Sequence, residues 1–201
     1  TGLEAMVQEI VIGPNTNHFE VSIYIDRSGR ARGTFTAQKI RQFPVDFGMG
    51  TMLKSVHNQE VAELGHRLLT GMGHRGIADV EFKLDDRDGR YKMLDINFRF
   101  WFQTVQATCA GINFPLIQYL DLTGQEVPDA ADYRDDVLWV NALSDVMSVI
   151  GQGRSGGLRE AISQYFEAES FSYFAPDDVM PAVSKLLAKD TLSNLIFHLR
   201  S

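Results

Sequence analysis

The sequence predicts an α+β domain, an antiparallel β-sheet flanked by helices. Three observations carry this. Two stretches, His18 to Ile40 and Ala78 to Asn97, each hold two alternating apolar–polar runs joined by turn residues, the pattern of a β-hairpin. Between them, Asn58 to Met72 repeats apolar residues at helical spacing. After the second hairpin the chain is mainly helical in pattern.

Met6 to Ile12 is apolar and β-branched apart from Gln8 and Glu9, and reads as a strand ended by the loop Gly13-Pro-Asn-Thr-Asn17. In the first hairpin Phe19, Val21, Ile23 and Ile25 alternate with Glu20, Ser22, Tyr24 and Asp26. Arg27-Ser-Gly-Arg30 turns the chain, and Ala31 to Ile40 returns. Lys39 and Arg41 end that strand and feed Phe43 to Thr51, where Gly48 and Gly50 permit close backbone approach. A basic strand end before a glycine loop suits an anionic ligand, and equally a plain surface loop. The helix over 58–72 has Asn58 as N-cap, Glu60 in its first turn and Val61, Leu64, Leu68, Leu69 and Met72 as its apolar stripe. Gly71-x-Gly73-x-x-Gly76 follows a helix and precedes a strand, the wrong order for dinucleotide binding.

The second hairpin carries the chemistry. Val80, Phe82 and Leu84 oppose Asp79, Glu81 and Lys83; Asp85-Asp-Arg-Asp-Gly-Arg90 turns; Leu94 and Ile96 oppose Asp95 and Asn97. Residues two apart on a strand share a face, so Asp95 and Asn97 point the same way. Symmetric pairing about the turn sets Glu81 across from Asp95. Two carboxylates and an amide oxygen are ligands for a hard cation such as Mg²⁺; a solvated acidic face is the alternative.

Beyond the hairpin, Trp101 to Ala110 and a segment opened by Pro115 read as helices. Pro128 to Asp136 is an acidic linker, Val137 to Val140 a strand, Ser144 to Ile150 a helix, and Gly151 to Gly157 a glycine-rich connection containing Arg154. Leu158 to Ala168 and a segment from the N-cap candidate Asp177 to about His198 read as the last helices. No chemical motif falls in 137–201, so the expected division is 1–127, with the site, and 128–201, a mostly helical C-terminal appendage.

Composition bounds the function. The chain has 201 residues, 44% hydrophobic and 22% charged, with a net charge of −7. Such a balance argues against nucleic acid as a partner, and no run of about 18 apolar residues suggests a membrane span. The lone Cys109, among apolar neighbours, fits a small buried hydrophobe and a reducing cytoplasm. The first residue is Thr1, and the chain reads as a piece of a longer protein.

Val80-Glu81-Phe82, then Leu94-Asp95-Ile96-Asn97-x-Arg99, with the segments before and after, resembles the ATP-grasp superfamily over about residues 6–127. The similar branches are carboxylate–amine ligases and biotin-carboxylase-like and carbamoyl-phosphate-synthase-like enzymes. The resemblance implies an ATP-grasp C-terminal subdomain with ATP and Mg²⁺ (or Mn²⁺) as cofactors. It makes Glu81, Asp95 and Asn97 the metal ligands, and Arg99, Lys39 and Arg41 the groups near the transferred phosphate or acceptor. Gln8, Glu9, Ile10, Val11 and Ile12 match the hinge that pairs with adenine, and His18 and Glu20 the ribose-proximal residues. It further implies a small-molecule carboxylate and an amine or thiol as substrates, joined through an acylphosphate. Asp95 stands where Glu is usual, and Phe98 where Pro or Thr is common. Relatives grip the α- and β-phosphates with two lysines upstream of the hinge, so residues 1–201 alone are expected to be inactive and to bind ATP weakly, complemented by an N-terminal remainder of the parent and compatible with a homodimer. A non-catalytic nucleotide-binding or scaffold domain on the same frame is the rival reading.

Overall fold

The structure, a computed structural model, describes residues 7–130, 132–151, 157–175 and 177–188. Its centre is a seven-stranded sheet: β1 (His18–Ile25), β2 (Ala31–Phe43), β3 (Met49–Ser55), β4 (Gly76–Asp85), β5 (Arg90–Asn97), β6 (Leu138–Val140) and β7 (Ser170–Phe171). The strand order is β5-β4-β1-β2-β3-β6-β7. All neighbours are antiparallel except β6 and β7. The helices are α1 (Gln59–Gly71), α2 (Thr104–Ala110), α3 (Phe114–Leu122), α4 (Ala142–Gly151), α5 (Gly157–Glu167) and α6 (Met180–Leu187).

Both hairpins form as their alternation predicts, and pairing of β1 with β4 puts them side by side. Each face of the sheet has its own cover. On one, Val21, Ile23, Ala78, Val80 and Phe82 pack against Val61 and Leu69 of α1. Asn58 caps that helix by accepting the Val61 N–H at 3.1 Å. On the other, Tyr24, Phe35, Ala37, Leu53 and Ile77 pack against Ala107 and Ala110 of α2 and Phe114 and Ile117 of α3. That second cover spans only part of the face. The remainder, toward the start of β1, is polar and forms the candidate site.

Several expectations are corrected. Residues 7–12 form no strand. A strand exists only through a ladder with a neighbour; here Ile12 C=O accepts the Asp86 N–H at 3.0 Å, and the segment passes the end of the second hairpin without pairing further. The glycine loop is shorter than 43–51, because β2 runs to Phe43 and β3 begins at Met49. A Cβ on Gly48 would lie 2.2 Å from the Phe43 carbonyl carbon, so glycine is needed there for a tight return of the chain. Helix α2 starts at Thr104, since the Thr104 hydroxyl and N–H both close a turn on the Trp101 carbonyl. Helix α6 starts at Met180, which places Pro181 in the first turn, where a missing N–H is tolerated; a start at Asp177 would put it a position too deep. The rest of that expected helix and Arg154 lie outside the described residues.

The boundary drawn at 127 falls inside continuous packing. Strand β6 extends the sheet from β3, and Tyr133, Val137 and Trp139 belong to the same buried cluster as Phe35 and Phe114.

Candidate active site

The site grows from strand alternation. Even-numbered residues of β1, namely His18, Glu20 and Ser22, face away from the α1 side. The ladders then bring their neighbours to the same face. Glu81 lies opposite Glu20, and Asp79 opposite Ser22, across β1–β4. Asp95 lies opposite Glu81, and Asn97 opposite Asp79, across β4–β5. A register shift between Glu81 and Phe82 absorbs an extra residue at Leu94 and leaves the Glu81–Asp95 pair intact. The Asn97 amide donates to Asp95 Oδ2 at 3.2 Å.

A chain of hydrogen bonds crosses the three central strands. Lys39 Nζ lies 2.9 Å from His18 Nδ1, and His18 Nε2 lies 2.8 Å from Glu81 Oε2. An ammonium only donates, so with Lys39 charged Nδ1 accepts and the ring proton sits on Nε2, donated to Glu81. Glu20 accepts from the Gln103 amide at the start of α2, and Asp79 Oδ1 accepts from Ser22 Oγ at 2.7 Å.

Burial sets the charges. Glu20 is held well above the usual carboxylate range by burial, reinforced by the charges of Asp79 and Glu81. Burial likewise pushes Asp79 up to about 7. Burial also opposes ionisation of Glu81, but the His18 hydrogen bond and the charges of His18 and Lys39 outweigh it, holding this carboxyl below its ordinary value. Burial lowers both Lys39 and His18, against the pull of the nearby carboxylates.

The face therefore offers the Glu81 carboxylate, held ionised, beside the Asp95 carboxyl and the Asn97 amide, with the cationic groups of Lys39 and Arg99 near it. Among the described residues no group of three or more His, Cys, Asp or Glu side chains is gathered to hold a metal without help. Mg²⁺ is commonly held by one or two carboxylates together with water and substrate phosphate oxygens. The donor set Glu81, Asp95 and Asn97, all hard oxygens, fits that mode.

The remaining expected site residues fall as follows. Arg99 is exposed at the end of β5, donates to the Phe100 carbonyl at 3.1 Å, and is close enough for its charge to favour ionisation of Asp79. Lys39 is buried within the cluster, but Arg41 is not part of it. Two residues apart, they would share a face on a regular strand. A register shift pairs Lys39 with Leu53 and Arg41 with Met52, consecutive residues of β3, so the two side chains diverge. Arg41 instead binds Asp145 of α4 through Nε and Nη2, the latter at 2.7 Å, and Gln164 of α5 at 2.6 Å. Of the hinge segment, Val11 is buried, Ile10 and Ile12 are exposed, the Gln8 amide reaches the Leu94 carbonyl at 3.5 Å, and Glu9 pairs with Arg87 at 2.6 Å. His18 and Glu20 are buried against protein groups. Asp79, Ser22 and Gln103 were not singled out in the sequence. Alternation places Asp79 beside Glu81 on one face, so that signal was available; Gln103 arrives from a separate helix and carries no local signal.

Comparison with known proteins follows the same frame. A family model described as ATP-grasp in the biosynthetic pathway with Ter operon matches residues 14–146. D-aspartate ligase of Enterococcus faecium (strain Aus0004) is 24% identical over 112 residues, covering 55% of this chain and 27% of the ligase. Among solved structures, N5-carboxyaminoimidazole synthetase from Staphylococcus aureus, complexed with ADP, superposes with a TM-score of 0.55 at 12% identity, over 75% of this chain and 40% of that one. The phosphoribosylaminoimidazole carboxylase ATPase subunit from Aquifex aeolicus gives 0.50 at 14% identity, over 63% and 38%. The chain thus spans well under half the length of each.

Proposed function

This chain belongs to the ATP-grasp family, and from that premise we propose that the protein it comes from is an ATP- and Mg²⁺-dependent ligase joining a small-molecule carboxylate to an amine or thiol through an acylphosphate. The carboxylate oxygen attacks the γ-phosphorus and ADP leaves; the nucleophile then attacks the acyl carbon, phosphate leaves and the nucleophile loses a proton. The observation that carries this reading is the Glu81–Asp95 ladder pair with Asn97 on the same face, beside the buried Lys39.

Phosphoryl transfer depends on positioning and charge neutralisation more than on covalent help. Glu81, Asp95 and Asn97 would hold Mg²⁺ or Mn²⁺, which when bound neutralises phosphate oxygens. Lys39 donates to the transferring phosphoryl group, and Arg99, exposed just beyond β5, steadies charge on the phosphoryl or acyl oxygens. The backbone of Glu9 to Ile12 is assigned to the adenine. Burial disfavours the ionised forms of Glu20 and Asp79 and so limits the negative charge beneath the phosphates. Arg41 takes no part, because its guanidinium is committed to Asp145. That a relative is named a D-aspartate ligase supports a ligase reaction.

The rival is a nucleotide-binding scaffold without turnover, favoured by the shorter carboxylate at Asp95. Titration calorimetry of Mg²⁺-ATP into the full-length protein tests both. Wild type is expected to bind, and Asp95→Ala to weaken binding by tenfold or more, on the order of one charge-assisted contact. ATP binding indifferent to Mg²⁺ and to Asp95→Ala would overturn the metal assignment, and binding without carboxylate-dependent ADP release would favour the scaffold.

A further inference from the structure

We infer that His18 is a positioning residue that bridges Lys39 and Glu81 and keeps them from closing on each other, and that it does not contact a nucleotide's ribose. The inference rests on the ligase reading for the roles of Lys39 and Glu81.

The ring is buried and both nitrogens are committed: Nδ1 to Lys39 at 2.9 Å and Nε2 to Glu81 at 2.8 Å. An imidazole has two hydrogen-bonding atoms, so nothing remains for a sugar hydroxyl. The topology explains the bridge. Strand β1 lies between β2 and β4. Phe19 pairs with Gln38 on one side and with Phe82 on the other. Its neighbour His18 therefore sits level with Lys39 on β2, while on β4 it lies opposite Lys83 and reaches diagonally to Glu81, two residues along the strand.

Without the ring, an ammonium and a carboxylate would face each other across a dry gap. Charge attraction in such a place is strong, and direct pairing is the expected result. That pairing would spend the cation assigned to phosphate on the carboxylate assigned to the metal. The imidazole prevents it by taking one hydrogen bond from each side. An apolar side chain of similar size would fill the space but satisfy neither group. A glutamine amide has an oxygen to accept from Lys39 and an N–H to donate to Glu81, so it can do both.

The test measures affinities of the full-length protein for Mg²⁺-ATP, Mg²⁺-ADP and AMP in five forms: wild type, His18→Leu, His18→Gln, Lys39→Ala, and His18→Leu combined with Lys39→Ala. Each form is checked for a cooperative thermal melt. His18→Leu is expected to lower the preference for ATP over ADP by about tenfold, one charge-assisted contact to the terminal phosphate, with AMP binding unchanged. His18→Gln is expected to keep most of that preference. The double variant should fall no further than Lys39→Ala alone, because both changes remove one contact. Equal weakening of ATP, ADP and AMP in His18→Leu would mean a sugar contact and overturn the inference. So would an unchanged ATP preference, or additive losses in the double variant. If His18→Leu does not fold, His18→Asn, too short to span both partners, is compared with His18→Gln by the same ratio. Wild type that binds none of the three nucleotides would defeat the ligase reading itself, a result distinct from any of these.

Discussion

Asp79 has the burial of a core residue and an ionisable group typical of the surface, and burial makes it hold its proton to higher pH than a free carboxyl does. In an unfolded chain the carboxyl titrates near its ordinary value of 3.8, whereas in the folded protein burial raises it to about 7. Between about pH 4 and pH 7 the folded state therefore binds the extra proton. Stability contributed by this group is present at low pH and is lost as pH rises through about 7. Glu20, raised by the same cause, acts in the same direction. Asp79→Asn keeps an acceptor for Ser22 and removes the ionisation. It is expected to flatten the fall between pH 5 and pH 8 of the unfolding free energy measured in urea, by at most about a few kcal/mol. Midpoints that fall as steeply in Asp79→Asn as in wild type would count against a buried, protonated Asp79.

Two element-scale contacts decide how helices sit on the sheet. Helix α1 meets β1 at Gly65, where a Cβ would come within 2.7 Å of Val21 Cγ1 and 3.1 Å of Ile23 Cδ1. Alanine is the better helix former by about 1 kcal/mol, but overpacking costs about 1–3 kcal/mol. Gly65→Ala is therefore expected to destabilise, and a raised melting temperature would contradict that packing. On the same side of the sheet, α4 is pinned by Asp145. Its carboxylate accepts from Arg41, from Thr51 Oγ1 at 2.7 Å and from Tyr165 Oη at 2.8 Å. The Arg41 and Asp145 side chains are 12% and 0% exposed. Removing one partner of such a pair leaves a buried charge alone, so Asp145→Ala is expected to lose about 3–5 kcal/mol in denaturant unfolding. A loss under 1 kcal/mol would mean that water reaches the pair.

At the scale of the whole molecule, the question is whether residues past 127 fold with the sheet. The two tryptophans lie on either side of that position, Trp101 and Trp139, and both are in one buried cluster. Single-tryptophan variants, Trp101→Phe and Trp139→Phe, are expected to unfold with fluorescence midpoints that match each other's far-ultraviolet transitions, as one cooperative unit does. Trp139→Ala is expected to cost about 3–5 kcal/mol, and to lower the melting temperature of the first hairpin as well. Separate transitions would support 128–201 as an appendage.

Local repetition in the chain is enough to call both hairpins, the capped helix α1 and the acidic face with Glu81, Asp95 and Asn97, because alternation and helical spacing are written into neighbouring residues. What the chain order cannot express is contact with a distant partner. One irregular pairing separates Lys39 from Arg41. Residues 7–12 fail to become a strand for lack of a ladder. Burial by other elements raises the Glu20 and Asp79 carboxyls, and partners on two neighbouring strands engage both nitrogens of His18. These outcomes depend on strand register and on solvent exclusion, which exist only once the sheet and its covering helices are assembled.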